Sequence, residues 1–194
     1  MTDPRATPVA HAAIVMITQD GRTSIPFQYN PDTVQRTIEP NVVGGKPGAR
    51  SRATRFAGAA AETFTLEARL IAPDDADDGI GPQLAALTLL AYPSTAAVQA
   101  AAAQLEQGVV QIGGLMAPSL LLVFGPRAIP CQLTGMSVTE QLHDDALTPV
   151  QATVTLSLRA VTYSDVDSDD PAYGGFLAYQ SALEHLAPRA EGPG

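Results

Sequence analysis

Pro149-Val-Gln-Ala-Thr-Val-Thr-Leu-Ser-Leu-Arg-Ala-Val-Thr-Tyr163 alternates in polarity over most of its length. Val150, Ala152, Val154, Leu156, Leu158 and Ala160 fill the even positions, and Gln151, Thr153, Thr155, Ser157 and Arg159 the odd ones. Successive side chains of a strand point to opposite faces, so this period of two predicts one strand with a buried face and a polar face. At about 3.3 Å per residue it spans roughly 40 Å, well beyond the usual strand of about five or six residues. A strand this long needs neighbours along its length, and the rest of the sequence supplies them.

Immediately upstream, His143-Asp144-Asp145 reads as the turn into this strand. Before it, Ile129, Cys131 and Leu133 share one face, and the alternation resumes at Met136 and Val138 past Gly135, where a glycine inside a strand predicts a bulge. Gly125-Pro126 turns the chain out of Leu120-Leu121-Leu122-Val123-Phe124, an apolar run suited to a strand covered on both faces. Further back, residues 82–107 carry helical signals. Pro82 suits a first turn, and Leu84, Leu87 and Ala91 follow at helical spacing. Tyr92-Pro93 stops that helix, and Ser94 caps a second with a narrow stripe of Val98, Ala101, Ala102 and Leu105, which offers little area to bury.

The N-terminal part adds strands at Val9–Thr18, at Thr23 onward with Ile25, Phe27 and Tyr29 on one face, and at Val34–Ile38. Gln19-Asp20-Gly21 and Asn30-Pro31 are the turns between them. Phe64, Leu66, Ala68 and Leu70 alternate with polar residues in a further strand that closes at Pro73. Residues 41–54 have no periodicity and read as a long exposed loop. Lys46, Arg50, Arg52 and Arg55 place four cations in ten residues there, in a chain of net charge −9. Some seven strands in hairpin-like order therefore predict a mainly β fold, an antiparallel β-barrel or sandwich with a helical insertion and a C-terminal helix. Residues 1–163 form the β domain in this reading. Residues 164–194 form an acidic linker, a helix with Phe176, Tyr179, Leu183 and Leu186 at helical spacing, and a tail.

The acidic balance argues against a nucleic-acid partner. No purely apolar run suits a membrane span, and the N-terminus lacks a signal-peptide pattern, so synthesis in the cytoplasm without membrane insertion is expected. The single cysteine, Cys131, reads as a small buried hydrophobe. Asp165, Asp167 and Asp169 match the first three ligand positions of a calcium loop, but Asp170 stands where its glycine belongs and Phe176 where its bidentate Glu belongs. The histidines lack ligand spacing, there is no nucleophile elbow, and Gly44-Gly45-Lys46 is followed by Pro47, so no metal, cofactor or catalytic residue is expected.

Ile25 to Glu39, with Phe27, Tyr29, Asn30 and Pro31 as its aromatic-x-aromatic-Asn-Pro element, resembles the opening motif of the contractile injection system tube-domain family. The similarity extends through Arg55-Phe56-Ala57-Gly58 into Glu62–Ala68, then Leu120–Gly125 and the strand Pro149–Tyr163, covering roughly Val9 to Tyr163. The resemblance implies a phage tail-tube type of fold that assembles as a hexameric ring. Its implied role is a structural, non-enzymatic one at the junction of baseplate hub and inner tube, linking spike to tube inside a particle. Many such proteins carry a C-terminal LysM module, for which the last thirty residues here read as too short. Under this reading the partners are other copies, an inner-tube protein, and spike, hub or baseplate proteins. Lys46, Arg50, Arg52 and Arg55 would contact a neighbouring subunit or ring, and the strand with Thr153, Thr155, Ser157 and Arg159 would extend the sheet across subunits, so that proline at Thr153 or Thr155 would block assembly. The rival reading is a monomeric barrel binding a small ligand or peptide.

Overall fold

The computed structural model describes residues 11–18, 21–44, 55–73, 76–108 and 117–190. Strands β1 (Ala13–Thr18), β2 (Gly21–Pro26), β3 (Val34–Glu39), β6 (Ala61–Ile71), β7 (Ser119–Phe124), β8 (Arg127–His143) and β9 (Pro149–Ala160) make one sheet in the order β2-β1-β7-β8-β9-β6-β3. Every ladder in it is antiparallel. A separate ribbon pairs β4 (Val42–Val43) with β5 (Arg55–Phe56). The mainly β, antiparallel architecture with flanking helices is the one the alternation predicts.

Strand β9 lies near the middle of this sheet. Ala152, Val154, Leu156, Leu158 and Ala160 are all buried, as their even positions require. Opposite Leu156 and Leu158 stand Leu66 and Phe64 of β6 on one side, and Met136 and Leu133 of β8 on the other. Because both edges of β9 are taken within the chain, Thr153, Thr155, Ser157 and Arg159 cannot extend the sheet to another subunit. The sequence expectation fails here because a polar face looks the same on a central strand as on an edge one. The bulge expected at Gly135 is present as a register shift between Leu133 and Gly135.

The turn into β9 is held by Asp144, whose Oδ1 accepts from the backbone N–H groups of Ala146 and Thr148, each at 2.8 Å. The hydrogen bond from Thr148 leads the effects that hold this carboxyl below its usual range.

The helical insertion comprises α1 (Gly81–Thr88), a 3-10 turn over Leu89–Ala91, and α2 (Thr95–Glu106). Ile80, Leu87 and Leu90 are buried and bring α1 and the turn onto the core, whereas α2 buries no residue. Ser94 caps α2, its side chain accepting from the Ala97 N–H at 3.1 Å. By length and composition 81–106 is apolar enough to cross a membrane, although no unbroken apolar run marks it. Tyr92 is extended and Pro93 follows it, so the run is two helices of 8 and 12 residues. A helix of the latter length spans about 18 Å, short of the roughly 30 Å hydrocarbon layer.

Gly79 pins the start of this insertion to the start of β9. Its φ is +55°, and a Cβ there would stand 2.2 Å from the Pro149 carbonyl oxygen. The neighbouring Ile80 N–H donates to that same oxygen at 2.9 Å. Gly79→Ala is therefore expected to cost more than the roughly 1–2 kcal/mol of the left-handed conformation alone. An unchanged urea midpoint would contradict this.

The C-terminal helix, α3 (Pro171–Leu186), begins at Asp170, whose side chain accepts from the Ala172 N–H at 2.7 Å. The acidic stretch before it is tied into the fold: Asp165 Oδ2 accepts from the Thr162 N–H at 2.9 Å and from its hydroxyl at 2.6 Å. Of the acidic run Asp74-Asp75-Ala76-Asp77-Asp78-Gly79 after β6, Asp74 and Asp75 lie outside the described residues. Tyr179 of α3 is in the same core as the strands, and Gly175 lies so close to Pro130 that a Cβ would be 3.4 Å from the proline ring.

Candidate assembly surfaces

The four motif residues serve the fold in different ways. Phe27 is buried, and its N–H donates to the Ala12 carbonyl at 2.8 Å. Asn30 Oδ1 accepts from the Ala12 N–H at 2.7 Å, and Pro31 is buried. Strand β2 ends at Pro26, so Tyr29 does not continue the face of Ile25 and Phe27 as the alternation suggests; it stands 49% exposed.

Gln28, inside the same motif, makes the contact that sequence patterning gives no hint of. Its Nε2 donates to the Ile71 carbonyl at 2.8 Å, and its Oε1 accepts from the Ile71 N–H at 2.9 Å. A side-chain amide thus takes the place of a ladder rung. It ties the end of edge strand β2 to the end of β6, beside the other edge strand β3, and draws the two ends of the sheet together.

A second cluster fixes α3. Glu62 is only 7% exposed, and its Oε1 accepts from the Tyr179 hydroxyl at 3.0 Å and pairs with Arg36 Nε. The Arg36 guanidinium also lies over the Phe64 ring, 5.9 Å from its centroid. Burial, with the adjacent Glu62 carboxylate, pushes the Tyr179 hydroxyl up to about 12. Glu62 occupies the same alternating register as Phe64, Leu66 and Ala68, and a carboxylate in a core register was the available sequence signal.

Of the residues expected at contacts, Lys46, Arg50 and Arg52 lie outside the described residues. Arg55 opens β5 and is exposed. Arg159 is occupied within the chain: its Nη2 pairs with Asp165 Oδ1. Burial works against ionisation of Asp165, but the Thr162 hydrogen bonds and the Arg159 charge outweigh it and hold the carboxyl below its usual range. Both residues, with Thr162 and Glu39, line a cleft of about 350 Å³.

What the described residues do offer is unpaired sheet edge. Strand β7 pairs with β8 only from Arg127 to Cys131, while β9 accompanies β8 to His143. Beyond Cys131, therefore, the edge of β8 opposite β9 has no strand partner among the described residues. The outer edges of β2 and β3 are likewise without a strand partner there. Among the described residues no three His, Cys, Asp or Glu side chains are grouped to hold a metal ion. Cys131 is buried, and burial pushes its thiol up to about 12, which leaves it unreactive while folded.

No protein-family model matches the sequence, and no curated protein matches it. Among solved structures, a chain from the tail of an empty GTA particle, computed with helical refinement and C6 symmetry, is similar at TM-score 0.36 and 11% identity, over 77% of this chain and 90% of that one. A chain from the virion of a native gene transfer agent (GTA) particle is similar at TM-score 0.34 and 10% identity, over 80% of this chain and 95% of that one. A likeness at these scores carries no argument about what this chain does.

Proposed function

We propose that this chain is a structural ring subunit of a phage-tail-like contractile injection particle. It stands at the junction of baseplate hub and inner tube and links spike to tube, as a homo-hexamer that contacts inner-tube and hub proteins. It is made in the cytoplasm, built into the particle, and does no catalysis. The resemblance of Ile25–Glu39 to the tube-domain motif supports this reading. The observation that carries it is the edge of β8 beyond Cys131, which as far as His143 has, among the described residues, a strand partner only on its β9 side. An edge that long, left unpaired, is a template for a strand from another chain. In a closed ring each copy's edge is covered by the next, which removes the hazard of open-ended aggregation.

Proline at Val138 and at Thr139, in separate variants, tests this. Adjacent residues of a strand direct their N–H groups to opposite sides, so one of these prolines breaks the ladder to β9 and the other faces the free edge. One variant is expected to lose the fold. The other keeps its circular dichroism spectrum and loses assembly, and a folded variant that assembles like the parent would count against sheet extension at β8.

A further inference from the structure

Leu147, in the turn that joins β8 to β9, has φ +66°, and among the described residues every other positive φ belongs to a glycine. In that left-handed region Cβ crowds the following carbonyl oxygen, so turns place glycine or asparagine there and a bulky residue is an outlier. The turn itself fixes the conformation. The Leu147 N–H donates to the Asp144 carbonyl at 3.0 Å, the Asp144 N–H donates to the Thr148 carbonyl at 3.0 Å, and Asp144 Oδ1 accepts from Ala146 and Thr148. A glycine at 147 would close the same turn without strain.

The leucine returns little to the fold. Its side chain is 80% exposed, and it stands neither in the core nor among the half-buried hydrophobics packed against it. Strain that packing does not offset, held in place by a fixed turn, points to a residue kept for contact with another molecule. Leu142, 56% exposed, lies at the same end of the hairpin. Carboxylates stand beside the two leucines. Asp144 and Asp145 belong to the turn, and the close packing of Gly79 on Thr148 and Pro149 brings Asp77 and Asp78 to the same end.

We propose that Leu147 anchors a docking tip, which inserts into an apolar pocket of a partner protein whose rim carries lysine or arginine. One aliphatic side chain presented on a rigid turn, with carboxylates around it, matches such a pocket in shape and in charge. A second copy, of net charge −9, fits a cationic rim less well than a protein of the opposite balance. The partner is then an inner-tube or hub protein, and to that extent the inference rests on the reading of the chain as a particle component.

Leu147→Gly separates anchoring from folding. Relief of the left-handed strain should leave its urea midpoint no lower than that of the parent, while loss of the side chain weakens binding to the purified inner-tube or hub protein on the order of tenfold or more. Leu147→Ala keeps the strain and loses the side chain, so it should melt like the parent and bind as weakly as the glycine variant. Leu147→Met restores the bulk and should bind like the parent. Asp145→Asn should flatten the salt dependence of binding. A Leu147→Gly chain that unfolds at clearly lower urea would show that the leucine packs on its own chain, and one that binds like the parent would show that the tip is not an anchor. Either result overturns the docking tip and leaves the particle reading standing. A parent chain that binds neither protein would remove both.

Discussion

Proline in place of Thr155 is expected to unfold the chain, not merely to stop it assembling. Thr155 pairs with Glu67 on one side and Ser137 on the other, so whichever way its N–H points, a ladder hydrogen bond is lost from the interior of the sheet. Its neighbours Val154 and Leu156 are fully buried and would be displaced with it. Truncating Leu156 alone is expected to cost about 2–5 kcal/mol. Proline adds the broken ladder to such losses, against a total stability of about 5–15 kcal/mol for a typical domain. The expected result is loss of the cooperative thermal transition, or a fall in its midpoint of roughly 10 °C or more. A Thr155→Pro protein that melts like the parent would show that β9 is not a central strand.

Above about pH 10 the structure is expected to weaken through Tyr179. Its hydroxyl ionises near its ordinary value in the unfolded chain but only at about 12 in the folded one, where it is buried against Glu62. The folded state thus retains a proton that the unfolded state releases. The Tyr179 contribution is complete below about pH 10 and is lost as the pH rises toward 12, by an amount on the order of 2 kcal/mol. Tyr179→Phe should flatten the stability profile in that window. It should cost about 1 kcal/mol at neutral pH, because the buried Glu62 carboxylate loses one of its two donors. Urea titrations at several alkaline pH values would check both points, and parallel profiles for the two proteins would exclude this role for Tyr179.

The sequence disclosed those parts of the fold that follow from local periodicity or from one residue's backbone chemistry. Alternation in β9 and β6 is readable because one face of each is buried. Ser94 and Gly135 are legible for similar reasons: a cap and a bulge each ask for a particular residue type. Which edges stay free was not legible, because strand neighbours are set by pairings between distant segments. The polar face of Thr153 and Thr155 for that reason suggests an extension strand, whereas among the described residues the edge without a strand partner belongs to β8. Glu62, Arg36 and Tyr179 each sit in an apolar register of their own element, yet only the folded chain brings the three together. Gln28 gives no pattern, since its amide imitates backbone, and any polar residue in a turn looks the same. Of the contact loop, Arg55 is legible in sequence by its charge, but the pairing of Val42 with Phe56 in the ribbon emerges only from the fold.

The most direct test of the ring-subunit account is the mass of the purified chain by light scattering, measured alone and again with the inner-tube and hub proteins of its particle. A hexamer, or recruitment into a larger particle, is the predicted result. A monomer under both conditions would contradict the account and return attention to a ligand-binding barrel.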